Sequence, residues 1–97
     1  MTKIAPNQTL VTATVTQIED HTDTGFHLVH LQILESRPLP AHTQMPGAEK
    51  GKELSALLSK QMAVETGVTK DSLLECEIQK IDINLWRIDF IITKGAL

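Results

Sequence analysis

From Leu10 to Glu19, apolar residues alternate with threonine: Val11, Ala13 and Val15 fall on one side, Thr12, Thr14 and Thr16 on the other. A period of two marks a strand with one buried face, and threonine and valine both favour that conformation. Ile18 falls out of phase, which predicts a bulge near Thr16–Gln17. The polar run Asp20-His21-Thr22-Asp23-Thr24-Gly25 reads as a turn, and a second strand follows from Phe26 to about Ser36. Pairing Val15 with Val29, Ala13 with Leu31 and Val11 with Ile33 sets apolar against apolar. The same register puts Thr14 opposite His30 and Thr12 opposite Gln32 on a polar face.

A second hairpin lies at the other end of the chain. Leu74, Cys76 and Ile78 alternate with Glu75, Glu77 and Gln79, and Trp86, Ile88, Phe90 and Ile92 alternate with Arg87 and Asp89. The loop Asp82-Ile83-Asn84, with Asn84 suited to a left-handed conformation, pairs Ile78 with Ile88, Cys76 with Phe90 and Leu74 with Ile92.

Between the hairpins, Arg37-Pro38-Leu39-Pro40 stops the second strand, because proline cannot donate to a ladder. Residues 37–51 read as an exposed loop, and residues 1–8 and 95–97 as flexible termini of one domain. The segment from Lys52 to Gly67 has two readings. Leu54, Leu57, Leu58 and Met62 fit a helix face ending at Gly67, whereas Leu54, Ala56 and Leu58 fit a short strand before a helical turn from Gln61 to Thr66. The strand reading gives three strands, a helical turn and two strands. That is the order of the small five-stranded β-barrels of oligonucleotide/oligosaccharide-binding (OB) type. The alternative is an α+β sandwich, a four-stranded antiparallel sheet with one helix.

Two segments favour the barrel. Residues 13–19, Ala-Thr-Val-Thr-Gln-Ile-Glu, and residues 54–80, with Leu-Ser-Ala-Leu-Leu-Ser-Lys before Gly67-Val68, resemble the molybdate-binding Mop/TOBE domains. The resemblance implies an OB-like fold, a strand from Leu54, and an oxyanion held by backbone amides with Ser, Thr and Lys side chains. Only Ser59 and Lys60 fall on a corresponding position, and the Arg-Asn that opens that family's first strand has no counterpart near Val11.

Length and composition narrow the setting. A chain of 97 residues with 41% hydrophobic content forms one ordinary globular core. No apolar run is long enough for a membrane span or a signal peptide. The lone Cys76 rules out an internal disulfide, so a cytoplasmic protein is expected. A net charge of −3 and an aromatic content of 3% both weigh against nucleic acid, which favours basic, aromatic-bearing surfaces.

The chemistry-bearing residues give no catalytic or metal constellation. His27 and His30 leave opposite faces of a strand, and Asp20, His21 and Asp23 with His27 lack the spacing of a zinc site. His42 falls in the long loop. Cys76 sits on the apolar face, the reverse of what a reactive thiolate needs, and Glu75 and Glu77 lie on an open face near Arg87 and Asp89. Trp86 alternates into the core, so a base-stacking platform would have to be Phe26 alone, or Trp86 if it faces out.

The expected function is therefore a non-enzymatic binding module with no cofactor and no metal. Its candidate ligand-binding residues are Arg37, Lys50, Lys52, Ser59 and Lys60, and its candidate ligands are single-stranded nucleic acid, a partner protein or an oxyanion. The alternative is an assembly subunit, a homo-oligomer joined through the strand edges Thr9–Glu19 or Leu85–Lys94, with Leu34, Leu39 and Ile91 at the contact.

Overall fold

A computed structural model describes residues 7–20, 25–39 and 47–96. Its elements are β1 (Thr9–Asp20), β2 (Phe26–Pro38), β3 (Glu53–Ser59), α1 (Lys60–Thr66), β4 (Ser72–Asp82) and β5 (Leu85–Ala96). The five strands close on themselves in the order β1-β2-β3-β5-β4, with β4 bonded back to β1. The short helix falls between β3 and β4, so the segment from Lys52 to Gly67 is strand plus helical turn and the continuous-helix alternative is excluded.

Alternation builds the core. Val11, Ala13 and Val15 of β1, Val29, Leu31 and Ile33 of β2, Leu54, Ala56 and Leu58 of β3, Leu74, Cys76 and Ile78 of β4, and Trp86 and Ile88 of β5 all point inward and are buried. Each large apolar side chain among them contributes about 1.5–3 kcal/mol by leaving water. Helix α1 closes one end of the barrel with Met62 and Ala63, and Val68 follows it into the core. Ser59 starts the helix by accepting a 3.0 Å hydrogen bond from the Met62 N–H. Gly67 ends it at φ 67°, a left-handed conformation glycine adopts without penalty, and donates to Ala63.

The registers differ from those expected. Ala13 lies opposite Ile33 and Val15 opposite Leu31, while Val11 faces Ser36 and Ile18 faces Val29. Every second residue is apolar on both strands, so a slip by two keeps each side chain on its face and apolar matching cannot separate the two registers. The bulge expected near Thr16–Gln17 is present between Val15 and Gln17, and it returns Ile18 to the core side. A further irregularity between Thr12 and Ala13 leaves Leu34 outside.

On β5 the correction changes faces. Ile78 does pair with Ile88, but Cys76 pairs with Ile91 and Leu74 with Lys94. Irregularities between Glu77 and Ile78 and between Glu75 and Cys76 insert single β5 residues, Asp89 and Ile92, and shift the strand's phase. Ile91 therefore packs on the core, whereas Phe90 and Ile92 are exposed. The turn at Ile83–Asn84 keeps Asn84 at negative φ; Asp71 is the non-glycine residue with positive φ among those described.

The segment expected to be an exposed loop divides. Arg37 and Pro38 continue β2, residues 40–46 lie outside the described residues, and Ala48 is buried. Asn7, expected in a flexible terminus, is also buried. No helix among the described residues is long and apolar enough to cross a membrane.

Candidate functional site

The barrel wall is thinnest between β3 and β5. These strands run parallel and pair only through Ala56 with Trp86 and Leu57 with Arg87, because β5 begins at Leu85. Glu53, Leu54 and Ser55 are paired with Gln32, Leu31 and His30 of β2 on one side, and on the other they border a groove. That groove encloses about 390 Å³ and is completed by Gly47, Lys80, Ile83, Asn84 and Trp86. It lies beside the β2–β3 face and the β4–β5 turn.

Local bonds fix each wall. Asn7 acts as a substitute strand: its Oδ1 accepts from the Lys80 N–H at 2.7 Å and its Nδ2 donates to the Lys80 carbonyl at 3.2 Å. So held, Lys80 carries its ammonium 5.7 Å from the centre of the Trp86 ring, within cation–π range. Gly47 approaches the same ring at φ 111°, where an added Cβ would lie 3.6 Å from Trp86 Cζ2. The Gly47 N–H donates to Glu49 Oε2 at 3.0 Å. Backbone hydrogen bonds from the Glu49 and Gly47 amides, aided by Lys52 and Lys80, hold the exposed Glu49 carboxyl below the usual carboxylate range.

His30 forms the opposite wall and is tied on both ring nitrogens. Its Nε2 lies 2.6 Å from Glu19 Oε2 and its Nδ1 3.2 Å from Ser55 Oγ. With the proton on Nε2, the ring donates to Glu19 and accepts from the Ser55 hydroxyl, a Ser–His–Glu chain across β3, β2 and β1. The residue types are those of nucleophilic catalysis. The geometry suits holding the ring more than activating the serine: Ser55 meets Nδ1, the nitrogen beside the strand, and Glu19 is half-exposed and screened by water. None of these residues is among those expected to bind, since His30 reads as part of the polar face of β2 and shares no metal with His27. The signal in the sequence is the polar outer phase of β2 and β3, which a slip by two in the β1–β2 register leaves unchanged.

The expected binding residues do not converge. Lys52 precedes β3 and Ser59 ends it, so about 20 Å of strand separates them. Ser59 Oγ is used to cap α1, and the Lys60 N–H donates to the Gly25 carbonyl at 2.8 Å. Lys50 pairs with Glu35 at 3.5 Å, both exposed, and Arg37 lies exposed where β2 faces Leu10. Arg37, Lys50 and Lys52 thus share one end of the barrel, and Ser59 and Lys60 the other.

The remaining candidates resolve simply. Cys76 is buried, and burial, followed by Glu75 and Glu77, pushes its thiol up to about 12. Arg87 bonds Asp89 and Gln79, each at 2.6 Å; Glu75 faces Thr93 and Glu77 faces Phe90. The turn carrying His21 and Asp23, and His42, lie outside the described residues, and no metal-ligand cluster occurs among those described. Both strand edges expected to assemble are partly closed: β1 is paired on both sides from Thr9 to Thr14, and β5 meets β3 at Trp86 and Arg87. No family model, curated protein or solved structure matches the chain.

Proposed function

We propose that this chain is a binding module of OB type, without catalytic activity, whose ligand seat is the groove between β3 and the β4–β5 turn. One observation carries the reading. The barrel wall opens where Lys80, Asn84, His30 and Ser55 line a groove of about 390 Å³ floored by Leu54 and Trp86. That volume lies within the range of small-ligand seats, which combine an apolar floor with a few oriented polar groups. The strand order supports the OB reading, and the buried free thiol suits a reducing, cytoplasmic setting.

Nucleic acid is the weaker ligand. Base stacking needs an open aromatic face; in the groove Trp86 is buried beneath Lys80 and Gly47, and the exposed Phe90 lies outside the groove lining. Oxyanion binding at Ser59 is weaker still, because its hydroxyl already caps α1. Self-assembly draws on a separate feature, the exposed Phe90 and Ile92 on β5; a monomeric mass in light scattering at high concentration would dismiss it.

A small-molecule fragment screen by amide NMR on the full chain tests the groove. Hits should converge on the amides of His30, Ser55, Lys80, Asn84 and Trp86 and shift the emission of the single tryptophan. Hits confined to another face would refute the assignment.

A further inference from the structure

Resting on the groove as the ligand seat, we infer that its occupant is an extended peptide segment of a partner protein, added as a strand along β3. Leu54 spends its N–H and C=O on Leu31 of β2, whereas those of Glu53 and Ser55 alternate towards the groove. There a strand running parallel to β3, as β5 does, meets them through the amide opposite Leu54. In a strand, the N–H and C=O groups of alternate residues face each neighbour, and an uncovered edge is a template for another chain. Strand addition supplies affinity through those main-chain bonds and selectivity through alternate side chains.

Size and side-chain phase both fit. Three extended residues span about 10 Å, the length of the β3 stretch that precedes its pairing with Trp86 at Ala56. A strand continuing this sheet alternates its side chains between floor and rim. The inward side chain meets Leu54 and Trp86, both buried, while those on either side emerge beside Glu53, Ser55 and His30. Glu53 is exposed on the β3 wall and Lys80 stands on the β4 wall, so a basic residue is favoured on the side next to Glu53. The occupant is thus a polar–apolar–polar segment with a basic flank. A nucleic acid strand offers no amide ladder to a sheet edge.

The test uses the full chain labelled with ¹⁵N and the peptide acetyl-Thr-Lys-Val-Lys-Thr-amide, beside a version N-methylated at valine. Oligothymidylate and molybdate serve as independent probes of the same groove. The expected result is saturable shifts at Glu53, Leu54 and Ser55, slowed amide exchange within that stretch, and at least tenfold weaker binding of the N-methyl peptide. Glu53→Lys, at an exposed position, should weaken the lysine peptide severalfold and favour acetyl-Thr-Glu-Val-Glu-Thr-amide instead. Equal binding of the N-methylated peptide, or shifts on another face, overturns strand addition. Shifts at the groove from oligothymidylate or molybdate but not from the peptide overturn the peptide and leave the groove standing. Silence there from every probe overturns both.

Discussion

Asn7 lies outside every strand yet joins the sheet, and replacing it gives a calculable cost. It is 1% exposed, and its amide bonds both the N–H and the C=O of Lys80. Asn7→Ala removes both bonds. Each contributes about 1 kcal/mol net, and stripping partners from partly buried backbone groups adds to that, so the expected loss is about 2–3 kcal/mol. For a domain of this size that lowers Tm by about 10–20 °C. Asn7→Asp retains the acceptor for the Lys80 N–H but buries a charge beside a carbonyl, so it should be no better tolerated. Urea unfolding followed by Trp86 fluorescence measures the loss. The folded baseline should change too, because Lys80 is held over that ring through Asn7. A change below about 0.5 kcal/mol, the size of an ordinary surface substitution, would refute the reasoning and show that the bonded pair adds nothing to the sheet.

Other outcomes follow from the same structure. The Cys76 thiol, pushed up to about 12 by burial, should resist a disulfide reagent at pH 8 and react at the rate of unfolding. Because its folded value is raised, its effect on stability is flat below the ordinary thiol range and turns unfavourable as pH climbs through that range towards 12. The lowered Glu49 carboxyl acts in the opposite direction. Its bond to Gly47 should hold above the ordinary carboxylate range and be lost as pH falls through its depressed value, read from the Gly47 amide shift. Ser55 should not be labelled by a fluorophosphonate at neutral pH; stoichiometric labelling that disappears in His30→Ala would reveal a working nucleophile in place of a positioning chain.

Much of this architecture was legible in the alternation of apolar residues, because a barrel buries one face of every strand. The first two and last two strands, the inward faces of β1, β2 and β4, the bulge before Ile18 and the stop at Gly67 follow from local pattern. β3 with its helical turn does not, because Leu54, Leu57, Leu58 and Met62 fit a helix face as well. The register of β1 against β2 does not, since a slip by two costs nothing in apolar matching. Nor does the phase of β5 beyond Ile88: an inserted residue at Asp89 is visible only against its partner strand, and it exchanges Phe90 for Ile91 in the interior. The groove was half legible. The lysines expected to bind flank the two ends of β3, whereas Ser55 and His30 of the groove lie mid-strand, where polar residues read as an ordinary solvated face. The lining of His30, Ser55, Lys80 and Asn84 comes from three strands and a turn brought together by closure. Asn7 gave no local sign of its partner, because Lys80 lies near the other end of the chain.

The seam between β1 and β4 sets the order in which this molecule can be made. Thr9 pairs with Ile78, and Thr14 with Leu73, so the first strand finds its second neighbour only after most of the chain exists. Contacts so distant in sequence slow folding, since the long intervening loop must be closed before they repay its entropy. During synthesis β1, β2 and β3 are complete before Ser72–Asp82 exists, so until then their apolar residues lack the strands that cover them and β1 lacks its second neighbour. A ribosome stalled before that segment would therefore carry a sticky, chaperone-dependent nascent chain, and release of β4 and β5 would convert it in a single cooperative step.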